Sequence, residues 1–253
     1  VEEHIFKFRP NISIHYRIKK PKYDCQHLLI VMSGFNDPDP TIYDFNMLEH
    51  CRSTILWIKD DFHGLPAYYL CHQMNFDIEE GVSALINAVI NHVNAANVSI
   101  LGGSKGGSAA LYYGIKHKIK NIVASTLQFN IGSYVADGYW KRVGASMMGD
   151  VSPENVSLLN RYLPGIVKYD TLTERNIYLF TSPQDKQYLT EIKPNLALFD
   201  KYSAFNLIET HSSLVVKHTD VTPYNLNLIL SLIYQFESGI SPHWGHVHHG
   251  NQQ

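Results

Sequence analysis

Three cysteines, Cys25, Cys51 and Cys71, are all that the 253 residues contain. Their spacing suits neither an even disulfide framework nor a thiolate metal site, which points to a reducing compartment and a cytoplasmic protein. No apolar run approaches the roughly 18 residues of a membrane-crossing helix, and no signal-peptide pattern opens the chain. A basic excess is missing too: 21 Lys and Arg against 23 Asp and Glu leave a formal charge of -2, which offers nucleic acid no broad electrostatic footing. Apolar and aromatic residues, by contrast, are plentiful, with 45 % hydrophobic residues, 16 Tyr and 11 Phe. That is enough for one large core and a cleft lined by rings.

The stretch Asn97–Gly114, NVSILGGSKGGSAALYYG, organises the rest. Val98–Leu101 reads as a short buried strand, Gly102-Gly103-Ser104-Lys105-Gly106 as a tight turn, and a small-residue helix follows from about Gly107. Gly-x-Ser-x-Gly between strand and helix is the nucleophile-elbow pattern of the α/β-hydrolases. The residues two before and two after the serine must lack side chains for the strained backbone to pass. The hydroxyl is then presented at the carboxyl edge of the sheet, with a helix N-terminus behind it that favours negative charge. The competing reading is a glycine-rich strand-to-helix turn in another α/β fold.

Around this turn the pattern is that of a mostly parallel sheet. Residues 3–9 and 12–18 alternate like a hairpin. Leu28–Met32, Thr54–Ile58, Asn121–Leu127, Asn176–Thr181 and Phe205–Glu209 are apolar runs of the kind that helices cover on both faces. Between strands, Ile78, Val82, Leu85, Ile86, Val89, Ile90 and Val93 form one helical stripe, opened by Asp77 and Glu80 as a capping box. Further helices are expected over 187–199, with Pro194 near the start, and over 223–236, capped by Thr222. Asp37–Pro40 reads as a loop. The fold expected is therefore an α/β-hydrolase fold, a single catalytic domain over 1–253 with helices on both faces of its sheet. Residues 128–172, aromatic and irregular, read as a cap over the carboxyl edge, and 240–253 as a flexible tail.

A serine hydroxyl needs a base, and the base needs a carboxylate to hold its tautomer. In this fold the order along the chain is Ser, acid, His, which assigns Ser104, Asp185 after a late strand, and a histidine before the last helix. His218 suits the base best, and His211, directly after a strand, is the alternative. The oxyanion donors expected are the backbone N–H of Lys105 and that of Gly34 or Phe35. The Lys105 side chain reaches either an acidic substrate group or solvent. His63, Tyr134 and Trp140 are candidates for lining the substrate cleft. His243, His246, His248 and His249 carry no carboxylate or cysteine among them, so no metal is assigned there.

The segments GGSKGGSAALYYG, IVMSGFNDP, KDDFHGLPAYYL, LFTSPQDKQY and VVKHTDVTPYN resemble bacterial capsular-polysaccharide O-acetyltransferases with an α/β-hydrolase fold. The resemblance covers roughly residues 25–237. It implies Ser104, Asp185 and His218 as a triad that moves an acetyl group from acetyl-CoA, the donor substrate, to a glycan hydroxyl, with no bound cofactor. It also implies association with capsule assembly. Val216-Lys217 stands before His218 where a capsule enzyme of that family has Gly-Gly. An esterase, deacetylase or peptidase with the same residues is the second reading, and a noncatalytic glycan-binding protein on the same fold the third.

Overall fold

The computed structural model describes residues 1–36, 39 and 41–250. Asp37, Pro38 and Pro40 of the expected loop, and 251–253 of the expected tail, lie outside the described residues. Two antiparallel strands, β1 (Glu3–Arg9) and β2 (Ile12–Lys19), open the chain. β3 (His27–Met32) and β4 (Thr54–Ile58) follow, wholly buried, then helix α1 (Asp77–Val93), β5 (Asn97–Gly103) and α2 (Lys105–Lys116). After β6 (Asn121–Ser125) come four short helices, α3 (Ile131–Ala136), α4 (Lys141–Met148), α5 (Pro153–Asn160) and α6 (Tyr162–Tyr169). β7 (Asn176–Thr181), β8 (Ala204–Thr210), α7 (His218–Tyr224), α8 (Leu226–Glu237) and β9 (His246–His249) complete it.

Among the described residues nine strands form one sheet, in the order β1-β2-β4-β3-β5-β6-β7-β8-β9. From β4 onward every neighbouring pair is parallel. Successive residues of a strand face opposite sides, so each buried run feeds two cores. Leu28, Ile30, Met32, Leu56 and Ile100 face the layer of α1 and α2. Leu29, Val31, Trp57, Leu101, Tyr178 and Phe180 pack with Ile229, Leu232, Ile233 and Phe236 of α8. That double burial is why these strands read as continuous apolar runs.

Five local expectations are corrected. Asp77 is the first helical residue of α1 rather than its cap, and with Glu80 it pairs with Arg9. Residues 188–199 form one π-turn and a 3-10 stretch, Tyr188–Ile192 and Lys193–Phe199, because Pro194 has no N–H to continue an α-helix. The final helix is two helices, α7 and α8, joined at Asn225, whose amide donates to Thr210 Oγ1 (2.7 Å) and Val221 O (2.8 Å). Thr222 is inside α7 and bonds Ser125 Oγ instead of capping. The tail does not hang free: His246–His249 adds to the sheet beside β8. Among the described residues no helix is long and apolar enough to cross a membrane.

One core group sets an acid limit on stability. The His27 ring is 1 % exposed, held between Ser53 Oγ (2.7 Å) and Ser99 Oγ (2.8 Å), and burial pushes its pKa down to about 4. The unfolded chain protonates it first, near 6.5. Its contribution is therefore complete above about pH 6.5 and lost as pH falls toward 4, about 2 kcal/mol at pH 5. Urea midpoints at pH 7.5 and 5 will show the loss, and a His27→Gln variant should show a smaller one.

Candidate active site

Ser104 sits between β5 and α2 with φ 53° and ψ -125°, a conformation that non-glycine residues rarely adopt. The turn is possible only because its flanks are bare. A Cβ on Gly102 would meet Gly106 O at 2.0 Å, and one on Gly106 would meet Met32 O at 2.2 Å. The strain is sustained by the close crossing of α2 against β3, and it lifts Ser104 Oγ clear of the sheet edge.

Two further elements bring their side chains to it. Asp185 lies in the turn that leaves β7, 3 % exposed. His218 is the first residue of α7, whose start is closed by Asp220 accepting from the N–H groups of Val216 and Lys217. The Ser104 hydroxyl donates to His218 Nε2 at 2.9 Å, and His218 Nδ1–H donates to Asp185 Oδ2 at 2.7 Å. The other Asp185 oxygen accepts from the Gln187 N–H at 3.0 Å, which fixes the carboxylate plane. His211 is elsewhere, its Nε2 3.1 Å from His248 Nδ1.

The backbone donors divide differently from expectation. Lys105 N–H opens α2, with no carbonyl four residues back to take it. Gly34 N–H donates to Asp44 Oδ2 at 2.7 Å, so it is not free to hold an oxyanion. Phe35 N–H has no protein partner among the described residues. Lys105 and Phe35 are therefore the pair of donors that the geometry leaves open.

The Lys105 side chain reaches neither substrate nor solvent. It is fully buried, with Nζ 2.7 Å from Asp60 Oδ2 and donating to Ser33 O at 2.7 Å. Burial lowers the ammonium's pKa, against the pull of Asp60. Asp60 Oδ1 also accepts from the N–H groups of Ala67 and Tyr69. Tyr69 Oη accepts from Ser33 N–H and donates to Ile58 O. Ser33, the root of the Phe35 loop, is thus clamped from two sides.

Phe35 stacks on Trp140, ring centroids 4.1 Å apart, and faces Tyr134 at 6.2 Å. Residues 128–172 therefore place two of their expected aromatics beside the Phe35 loop. His63 does not join them; it is exposed, and its ring pairs with His72 at 4.6 Å. Gln128, which the sequence reading passed over, is fully buried and donates from Nε2 to Ser104 Oγ (3.0 Å) and Gln187 Oε1 (2.9 Å). Its place just past the carboxyl end of a central strand is the one signal that marks it. A cavity of about 300 Å³ opens beside Ser104 and His218, bounded by Phe35, Phe45, Thr222 and Leu226.

No protein-family model matches the chain, and no curated protein sequence does. Solved structures do. The capsule O-acetyltransferase of Neisseria meningitidis serogroup A, in a complex with CoA, superposes with a TM-score of 0.71 at 19 % identity, over 87 % of this chain and 91 % of that one. A glycosylation-associated protein complex from Streptococcus agalactiae gives 0.65 at 17 % identity, over 96 % of this chain and 47 % of the other. A 2,6-dihydroxy-pseudo-oxynicotine hydrolase gives 0.68 at 14 %, over 96 % and 70 %. The chain has the α/β-hydrolase fold, the fold it shares with the capsule O-acetyltransferase on which it superposes.

Proposed function

We propose that this protein is a serine-dependent O-acetyltransferase that moves an acetyl group from acetyl-CoA to a hydroxyl of a bacterial capsular or other surface polysaccharide. The observation that carries the reading is the unbroken hydrogen-bond path from Ser104 through His218 to Asp185 at the mouth of a cavity. Support for the donor comes from the CoA-bound capsule enzyme that shares the fold.

In the first half-reaction Ser104 Oγ attacks the thioester carbonyl while His218 Nε2 takes its proton. The Lys105 and Phe35 N–H groups hold the tetrahedral oxyanion. The C–S bond then breaks, His218 returns the proton to the leaving thiolate, and acetyl-Ser104 remains. In the second, a sugar hydroxyl gives its proton to His218 and attacks the acetyl carbonyl, the acyl C–Oγ bond breaks, and His218 returns the proton to Ser104 Oγ. Asp185 keeps Nδ1 protonated and stabilises the imidazolium throughout. Gln128, donating to Ser104 Oγ, orients the nucleophile. The cavity, bounded by Phe45 and Leu226, takes the donor's acyl-thioester end, and Trp140 and Tyr134 offer ring faces to the acceptor.

Hydrolysis by the same residues is the second reading, favoured by the hydrolase among the structural neighbours; water then replaces the sugar. Purified protein with acetyl-CoA and a panel of capsule oligosaccharides separates them, following free thiol and acetyl mass gain on the glycan. Acceptor-dependent gain is the expected result. Thiol release that no carbohydrate stimulates, or acetyl-ester cleavage with no transfer, replaces this reading with the hydrolase.

A further inference from the structure

β8 and β9 pair in parallel, with Leu207 opposite His246 and Glu209 opposite His248. Alternate residues share a face of the sheet, so Glu209 stands with His246 and His248. His211, one residue past the end of β8, continues the same spacing, its Nε2 3.1 Å from His248 Nδ1. Glu209 Oε2 lies 2.5 Å from His246 Nε2 and 3.9 Å from His248 Nδ1. One ligand atom from each of these three residues falls within 4.8 Å of the others. Tetrahedral zinc, with bonds of about 2.0–2.1 Å, needs neighbouring donors roughly 3.3 Å apart. The observed separations bracket that value, so small side-chain rotations suffice.

We propose that Glu209, His246 and His248 form a zinc-class transition-metal site that clasps β9 onto the sheet, with His211 as the further donor at hand for the fourth position. The donor set is imidazole-rich with one carboxylate, which suits zinc, cobalt or nickel and disfavours magnesium and calcium. The supporting contact is present as well. The Tyr188 hydroxyl donates to the other Glu209 oxygen at 2.7 Å and so aims Oε2 at the histidines. Glu209 is 7 % exposed while the His246 and His248 side chains are about half exposed, which gives a rigid anchor and an open entry path. His211 also roots the loop that leads to His218, so a bound metal would stiffen the sheet edge beside the candidate catalytic histidine. The proposal does not depend on the acyl chemistry.

The test is a zinc chloride titration of the chelator-treated, dialysed full chain by calorimetry, repeated with cobalt(II) and read by visible absorption. One equivalent should bind, with the cobalt bands of a four-coordinate site, and a hundredfold excess of magnesium should not compete. His246→Gln with His248→Gln should weaken binding about 100-fold or more, each lost ligand costing at least the tenfold seen for supporting groups. Glu209→Gln should weaken it about tenfold or more, and His243→Gln, outside the cluster, should leave it unchanged. Circular dichroism checks that each variant is folded. Absence of saturable binding, equal binding of magnesium, or zinc binding that survives in the folded His246/His248 double variant overturns the site, leaving Glu209 and its neighbours as an ion-pair cluster only.

Discussion

Alanine in place of Ser104 is expected to lower acyl transfer and acyl-ester hydrolysis together, by about 10⁴–10⁶-fold in kcat, with little change in donor KM. In the proposed mechanism the hydroxyl oxygen forms the acyl bond, and its loss opens almost no cavity, so the fold survives. His218→Ala should cost a similar factor, and Asp185→Asn about 10⁴, because an amide in place of the carboxylate favours the wrong imidazole tautomer. If the three act as one unit, as proposed, Ser104→Ala with His218→Ala should be no worse than either alone. Intact-mass measurement after mixing with acetyl-CoA reads the step directly. Wild-type protein should carry one acetyl group transiently, and Ser104→Ala none. A Ser104→Ala protein that retains a tenth of the turnover would remove this serine from the chemistry.

Asp60→Ala should be the most damaging single change away from the reacting atoms. It strands the fully buried Lys105 ammonium and two backbone N–H groups, those of Ala67 and Tyr69. Breaking a buried pair from one side costs about 3–5 kcal/mol, or roughly 6–20 °C in Tm for a domain of this size. Adding Lys105→Met to that variant removes the stranded charge, and part of the stability should return. Activity should not return with it, since Ser33 would have lost the ammonium that holds the root of the Phe35 loop. Thermal melts of both single variants and the double give the coupling. A loss under about 1 kcal/mol for Asp60→Ala would mean that water reaches the pair.

Much of this was readable before any coordinates. Thr54–Ile58 and Asn176–Thr181 are strands with the expected limits, because a strand buried on both faces leaves an unbroken apolar run bounded by polar residues. The α1 stripe is equally plain, since a 3.6-residue period survives in the order of residues. The elbow is readable for a steric reason: Gly102 and Gly106 are where any side chain would strike backbone. The break at Asn225 is not readable, because what ends α7 is a side chain reaching Thr210 on another element. The last strand escapes for a related reason. His246–His249 has little apolar pattern of its own and takes its structure from the edge of β8.

The same division runs through the candidate site. By itself the sequence determined the chain order Ser104, Asp185, His218, the small-residue turn and the parallel sheet that carries it, all of which follow from local sterics and periodicity. Only the tertiary structure decided which groups share a partner. It gave Gly34 N–H to Asp44, turned Lys105 inward to Asp60, aimed Gln128 at the Ser104 hydroxyl and set Glu209 among the tail histidines. Each of these is a hydrogen bond, ion pair or side-chain cluster between residues from 10 to 45 positions apart. Such contacts leave no period or spacing in the chain, and they exist only once the sheet has brought its loops to common edges.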